Sequence, residues 1–286
     1  MTAKIAGAPI SWGVCEVPGW GYQLPADRVL REMSELGLTA TEFGPDGYLP
    51  PDPAERARLL AQHGLASAGG FVPAVLHDPA VDPLIDIDRA LDGFVTGNPV
   101  LVLAAATGRD GYEGRPELDE TQWQTLLANL DRVAAHANRR GYATTLHPHV
   151  GTMVEKTDEV RRVLDGTGVR ICLDTGHLLI GGTDPAELAR QVPHRVGHVH
   201  LKDVNQRIAS QVADQQISYT DGVAAGLYQP LGHGDIDIKG VVAALETSGY
   251  PGWYVLEQDT ILPVAPTGEG PVADVRKSLD YLRTLL

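Results

Sequence analysis

Five short stretches of this chain carry side chains able to hold a cation and move protons. "LDTGH" at 173–177 ends an apolar run in Asp174 and adds His177 three residues on. "GHVHLKDV" at 197–204 puts His198 and His200 on one side of an extended segment and follows them with Lys202 and Asp203, because side chains two apart in a strand share a face. "LHPHVGT" at 146–152 offers His147 and His149, "VLEQD" at 255–259 ends an apolar run in Glu257, and "TATEF" at 39–43 does the same in Glu42. One carboxylate or imidazole at the end of an apolar run is an ordinary strand terminator. Five at one rim are a different matter. Imidazoles and carboxylates converging from separate strands make a divalent-cation site with mixed nitrogen and oxygen ligands.

Something must bring those ends together, and the chain repeats one pattern that does so. "KIAGAPI" precedes a helix predicted over about 25–37, and "TATEF" precedes one opened by "DPAE" at 52–55. "LASAGGFV" leads to a helical segment around 83–94. "PVLVLAAA" leads to a strong helix over 119–140, with Trp123, Leu126, Leu127, Leu130, Val133, Ala134 and Ala137 on one face. Next come "YATTLH" and helix 157–165, then "VRICLD" and helix 184–191. "VGHVHL" is followed by a long irregular piece at 204–236 and helix 237–248, and "GWYVLE" by a closing helix at 271–285. "DPAE" recurs at 184–187 for a physical reason. The Asp caps free N–H groups, Pro fits the first turn, and Glu reaches back.

Strands that read as continuous apolar runs are buried on both faces, as parallel strands are. Eight strand–helix units at this length predict a closed (β/α)8 TIM barrel, one domain over 1–286. The segment 204–236 after the seventh strand is expected to be an over-long loop covering the mouth. An open doubly wound sheet is the alternative, but no G-x-G-x-x-G follows the first strand. In a barrel, the C-terminal strand ends form the active-site face, and that is where Glu42, His147, Asp174, His200 and Glu257 fall.

Composition narrows the function. The formal net charge is −14, from 23 basic and 37 acidic residues. A nucleic-acid binder needs a basic patch to neutralise phosphates, so no nucleic-acid partner is expected. No apolar run approaches the roughly 18 residues of a membrane span, and the N-terminus shows no secretory signal. Cys15 and Cys172 are the only cysteines, which fits a reducing, cytoplasmic setting. The sequence leaves room for a homo-oligomer.

"LDTGH", "GHVHLKDV", "LGHGDID" at 231–237 and "VLEQD", in this order, resemble the sugar phosphate isomerase/epimerase superfamily with its xylose isomerase-like barrel. "APISWG", "ATEFGPDGYLP" and "LHPHVGT" are more similar to its inosose dehydratase branch. The resemblance implies one divalent metal ion (Mn, Co, Fe, Zn or Mg, with Mn favoured). It implies Asp174, His200 and Glu257 as ligands and His147 as the fourth, with His149 or Glu155 as substitutes. His177 and Lys202 match positions that touch substrate or help proton transfer.

Epimerases of this superfamily use two opposed glutamates. Here the strand-5 position holds His147, leaving Glu257 as the single carboxylate base. One carboxylate with an imidazole or lysine acid suits elimination, with His177, His149 or Lys202 protonating the departing hydroxyl. The expected activity is therefore a metal-dependent carbon–oxygen lyase acting through an enediolate on an inosose or related polyhydroxy ketone, as in inositol catabolism. Epimerisation or isomerisation of a keto-sugar or inosose is the alternative. Endonuclease IV shares the superfamily, but the acidic charge argues against DNA.

Among other candidates, Trp12 and Phe71 are placed to stack on a ring and Tyr48 to bond a hydroxyl, with rim packing as the competing role. Glu42 is read as orienting a substrate hydroxyl, with capping of a loop as the alternative. "GHGDID" offers backbone N–H groups to an anion, or a turn in which Asp235 or Asp237 caps the next helix. His63, His77, His136 and His194 are read as structural, and Cys172 as core.

Overall fold

Each strand occupies an apolar run and stops where polar side chains begin. A computed structural model describes residues 4–95, 97, 99–109, 111, 112 and 114–286. The strands are β1 (Lys4–Gly7), β2 (Ala40–Glu42), β3 (Ala66–Ala74), β4 (Val100–Ala105), β5 (Thr144–Leu146), β6 (Arg170–Asp174), β7 (Val196–Leu201), β8 (Asp203–Val204), β9 (Tyr228–Gln229) and β10 (Trp253–Leu256). Eight of them close a barrel in the order β1, β10, β7, β6, β5, β4, β3, β2, every pair parallel. β8 and β9 pair antiparallel outside it.

Helices cover the barrel: α1 (Ala26–Glu35), α2 (Pro53–Gln62), α3 (Leu84–Asp92), α4 (Glu120–Arg139), α5 (Thr157–Gly166), α6 (Thr175–Ile180), α7 (Pro185–Gln191), α8 (Gln206–Ala213), α9 (Tyr219–Ala224), α10 (Ile238–Thr247) and α11 (Val272–Arg283). The two "DPAE" starts behave as their chemistry requires. Asp52 accepts from the Glu55 N–H and Asp184 from those of Ala186 and Glu187. Asp119 and Gln122 close a capping box at the head of α4, whose Trp123, Leu126, Leu130, Val133 and Ala137 are buried against the sheet.

Within the ring, Ala6, Ala8, Ala40, Ala68 and Val255 form a small cluster of their own. Short side chains there leave the volume that imidazoles and carboxylates fill above them. Register shifts fall between Thr41 and Glu42 in β2 and between Ile171 and Cys172 in β6. Such irregularities re-aim side chains, and both lie in strands that bear site carboxylates.

The segment after β7 departs from expectation. It is not irregular: 204–236 holds α8, α9 and the β8–β9 pair. Ile208, Val212, Tyr219, Val223 and Leu227 form a second core with Trp20, Val150 and Ile180 from the barrel mouth. Its "GHGDID" stretch does gather an anion, but the anion is the protein's own. The Asp203 carboxylate accepts from the N–H groups of Gly232, Gly234 and Ile236. A Cβ on Gly234 would sit 2.3 Å from Asp203 Oδ1, so only glycine fits. Asp237 caps α10 and Asp235 accepts from the Gln206 N–H. Among the described residues, no helix is long and apolar enough to cross a membrane.

Candidate metal centre

The two-residue period of β7 sends His198 and His200 into the barrel, where both Nε2 atoms donate to one oxygen, Glu42 Oε1, at 2.7 and 2.9 Å. A carboxylate can only accept, so the proton of each ring sits on Nε2. In its neutral form His200 then turns the Nδ1 lone pair toward Glu257 Oε2 at 2.5 Å and Asp174 Oδ2 at 3.5 Å. His147 Nε2 reaches the same Asp174 oxygen at 3.2 Å. His200 Nδ1 and Glu257 Oε2 are close but misaligned, and neither has a hydrogen-bond partner although both atoms are buried. Two buried donor atoms without a hydrogen-bond partner, set beside the Asp174 carboxylate, suit a coordinated cation.

Charge makes the same demand. Glu42, Asp174 and Asp259 are buried and Glu257 nearly so, against one buried ammonium, Lys202. Burial works against ionisation of Glu42, yet His200 and His198 hold its carboxyl far below the usual range. Burial likewise opposes charge on Asp174, but the Lys202 ammonium foremost pulls it well down. Burial disfavours charge on His200, but the facing carboxylates of Glu257 and Glu42 raise it well above an ordinary imidazole. This surplus of negative charge fits a divalent cation, and a set of two imidazoles with two carboxylates fits a borderline or hard metal. Cys172 Sγ also lies near His147 and His200. Burial pushes that thiol up to about 11, so it faces the centre as a neutral thiol.

Asp174 answers why a buried strand ends in a carboxylate followed by an imidazole. Oδ2 faces the centre, while Oδ1 accepts from the His177 N–H at 2.8 Å and caps α6, a helix the sequence reading did not foresee. One side chain stops the strand, starts the helix and offers an oxygen that could hold a metal ion.

His149 and His177 stack with ring centroids 3.7 Å apart and share one residue. His149 Nδ1–H donates to the Val150 carbonyl at 2.7 Å, and the Val150 N–H points to His177 Nδ1 at 3.5 Å. The rings are therefore opposite tautomers, His149 with an accepting Nε2 and His177 with a donating one. Burial and the neighbouring His147 and Lys202 lower the His149 pKa to about 3. Burial and His149 keep His177 neutral as well. Lys202 Nζ bonds Asp259 and lies 3.3 Å from Glu257 Oε1 and 3.8 Å from Asp174 Oδ2. Burial opposes its charge, but Asp259, Glu257 and Asp174 raise its pKa well above that of a free lysine.

A cavity of about 620 Å³ opens onto this centre, with Glu42, Phe71, His147, His149, Lys202 and Glu257 in its wall. The Phe71 ring is 5.8 Å from that of His147 and 5.7 Å from that of His149. Three expectations need correction. Trp12 does not reach the cavity: it is fully buried behind β1, and its indole N–H donates to Glu32 Oε2 at 2.8 Å. Tyr48 lies outside the lining, half-buried against the main core and packed on Gly44. Glu42 lines the cavity, and its Oε1 accepts from two histidines. Glu155 is no substitute ligand. Its Oε2 accepts from the Gly151 N–H and from Arg115.

Trp20 and Tyr112 also line the cavity and were missed. Both stand in glycine-rich loops, "PGWGY" and "DGYEG", where no periodicity marks a face. Asp259 was missed although a signal existed, since it lies two residues beyond Glu257. His63 and His136 face Asp27 and Asp88 on outer helices, as structural histidines do.

A family model described as xylose isomerase-like TIM barrel matches residues 30–285. An inosose dehydratase of Geobacillus kaustophilus is 31% identical over 270 residues, covering 90% of this chain and 87% of that protein. One from Geobacillus thermodenitrificans is 28% identical over 292 residues, covering 98% and 96%. In fold, a solved L-ribulose 3-epimerase superposes with a TM-score of 0.70 at 17% identity, covering 100% of this chain and 95% of that one. Closed barrel, strand-end motifs and a match along nearly the whole length agree: the chain belongs to the xylose isomerase-like TIM barrel family.

Proposed function

We propose that the protein is a metal-dependent carbon–oxygen lyase that removes water from an inosose or a related polyhydroxy ketone. One observation carries the reading: Glu257, held ionised, and Lys202, held charged, stand 3.3 Å apart at the centre and both face the cavity. His147, Asp174, His200 and Glu257 would hold a divalent ion, which would supply Lewis acidity to a ketone and its adjacent hydroxyl.

The chain's own groups then divide the proton work. Burial opposes charge on Glu257, but His200 and Lys202 keep it ionised, so Oε1 accepts the proton from the carbon next to the ketone. Lys202 donates to the β-hydroxyl, which leaves as water. The proton on Glu257 returns to Lys202 across their contact and resets the pair, so substrate yields product and water with no further reactant. His149, with its accepting Nε2, takes a substrate hydroxyl, while Phe71, Trp20 and Tyr112 present apolar faces to the ring.

Relatives named inosose dehydratase, at 28–31% identity, support the substrate class. A symmetric two-glutamate exchange lacks its second carboxylate here, since the strand-5 position holds His147. The test is incubation of manganese-loaded protein with a panel of inososes in deuterated water, followed by mass spectrometry and ultraviolet absorbance. A product lighter by one water supports the reading. Substrate returned with deuterium and inverted stereochemistry establishes epimerisation instead.

A further inference from the structure

Asp259, in the loop after β10, has no role in the steps above, yet it sits at a junction. It is buried, and its two oxygens serve different parts of the molecule. Oδ1 takes Lys202 Nζ, and Oδ2 accepts from the Tyr219 hydroxyl at 2.5 Å. Tyr219 belongs to α9 of the segment that follows β7, and its hydroxyl is 2.9 Å from that of Tyr228 in β9. The Tyr228 ring lies under the ammonium, 5.0 Å from Nζ. Next to it, Gly176 is held to its size: a Cβ there would come within 2.8 Å of Tyr228 and 2.9 Å of Lys202. A tyrosine face, a carboxylate and a glycine gap thus enclose Lys202 on the side away from the metal donors.

The alternative position for that ammonium is close. Glu257 Oε1 is 3.3 Å and Asp174 Oδ2 3.8 Å away, and those two side chains are donors the cation needs. A buried ammonium cannot stay unpaired. Without Asp259 it would settle between Asp174 and Glu257 and occupy the charge that binds the metal.

We propose that Asp259 is a positioning residue that holds the Lys202 ammonium off the metal carboxylates and ties it, through Tyr219, to the helical segment that follows β7. The inference rests on reading the centre as a metal site, but not on which reaction follows. It requires that metal affinity depend on Asp259 only while Lys202 is present. A contact of purely architectural value would show no such conditionality.

The experiment is a cobalt(II) titration of metal-stripped full-length protein, by calorimetry and visible absorbance, for wild type, Asp259→Ala, Asp259→Asn, Asp259→Glu, Lys202→Met and the double variant Lys202→Met/Asp259→Ala. Residues that orient metal ligands are worth about 10–100-fold in affinity, and a loss of at least about tenfold is expected for Asp259→Ala. Asp259→Glu should recover part of it. The double variant should bind as Lys202→Met does, a coupling read from the cycle. Amide exchange should quicken across 206–229 in Asp259→Ala and stay unchanged in the barrel strands. If Asp259→Ala does not fold, Asp259→Asn, which keeps the shape and loses the charge, is read by the same criteria. Equal loss in the Lys202→Met and wild-type backgrounds overturns the proposal, as does unaltered affinity or wild-type protein that takes up no cobalt. Failure of inosose dehydration with this coupling intact would remove the reaction assignment and leave Asp259 in place.

Discussion

Glu42 should control metal affinity without touching the metal, and Glu42→Gln isolates the effect. The substitution keeps the side-chain shape and an oxygen able to accept, but removes the charge. In the structure one oxygen takes two imidazole N–H groups, at 2.7 and 2.9 Å. Charge-assisted bonds are about twice as strong as neutral ones, which are worth about 1 kcal/mol each. Two bonds together lose about 2 kcal/mol, which is about 30-fold in an equilibrium constant. A fall of about 10–100-fold in metal affinity follows, matching the range for carboxylates that orient ligating histidines. Folding stability of the metal-free chain should respond less, because removing a buried charge also removes its desolvation cost. The assay is calorimetric titration with manganese or cobalt, alongside urea unfolding with and without metal. Affinity within about twofold of wild type would refute the reasoning, because a tenfold change corresponds to only about 1.4 kcal/mol.

Asp174→Asn should lose metal content and activity together in elemental analysis and turnover. The metal-free fold should stay within about 1 kcal/mol of wild type, since Asn caps a helix about as well as Asp. Trp12→Phe and Trp20→Phe should separate cleanly. The first breaks a buried bond to Glu32 and should cost about 1–3 kcal/mol in chemical denaturation with KM unchanged; the second alters the cavity wall and should raise KM. A Trp12 variant that changes KM would return that residue to the site.

Much of the site was legible because a barrel strand announces its own end. An apolar run closing in Asp174, Glu257 or His147 marks both the strand and the rim, and the period of two puts His198 and His200 on the inner face. The same rule reached Glu42 but not its partners. Nothing along the chain says that one carboxylate oxygen will meet two rings from a strand 156 residues away. Trp12 and Tyr48 failed for a related reason. Aromatic residues just past strand ends look alike whether they turn into the mouth or back under a helix, and only the bond to Glu32 shows which way Trp12 went.

The sequence by itself determined the eight-fold alternation, the capped helix starts and the strand ends that carry donors, because each depends on interactions within a few residues. The path of 204–236 did not follow from such rules. Its helices are short, and their stability comes from a shared core with Trp20, Val150 and Ile180, which lie far off in the chain. Tertiary structure alone decided the tautomers of His149 and His177, set by one Val150 peptide unit on each side, and the convergence of Lys202, Tyr219 and Tyr228 on Asp259. Closing the barrel places these groups within bonding distance, and burial then makes every unpaired charge too costly to leave where it is.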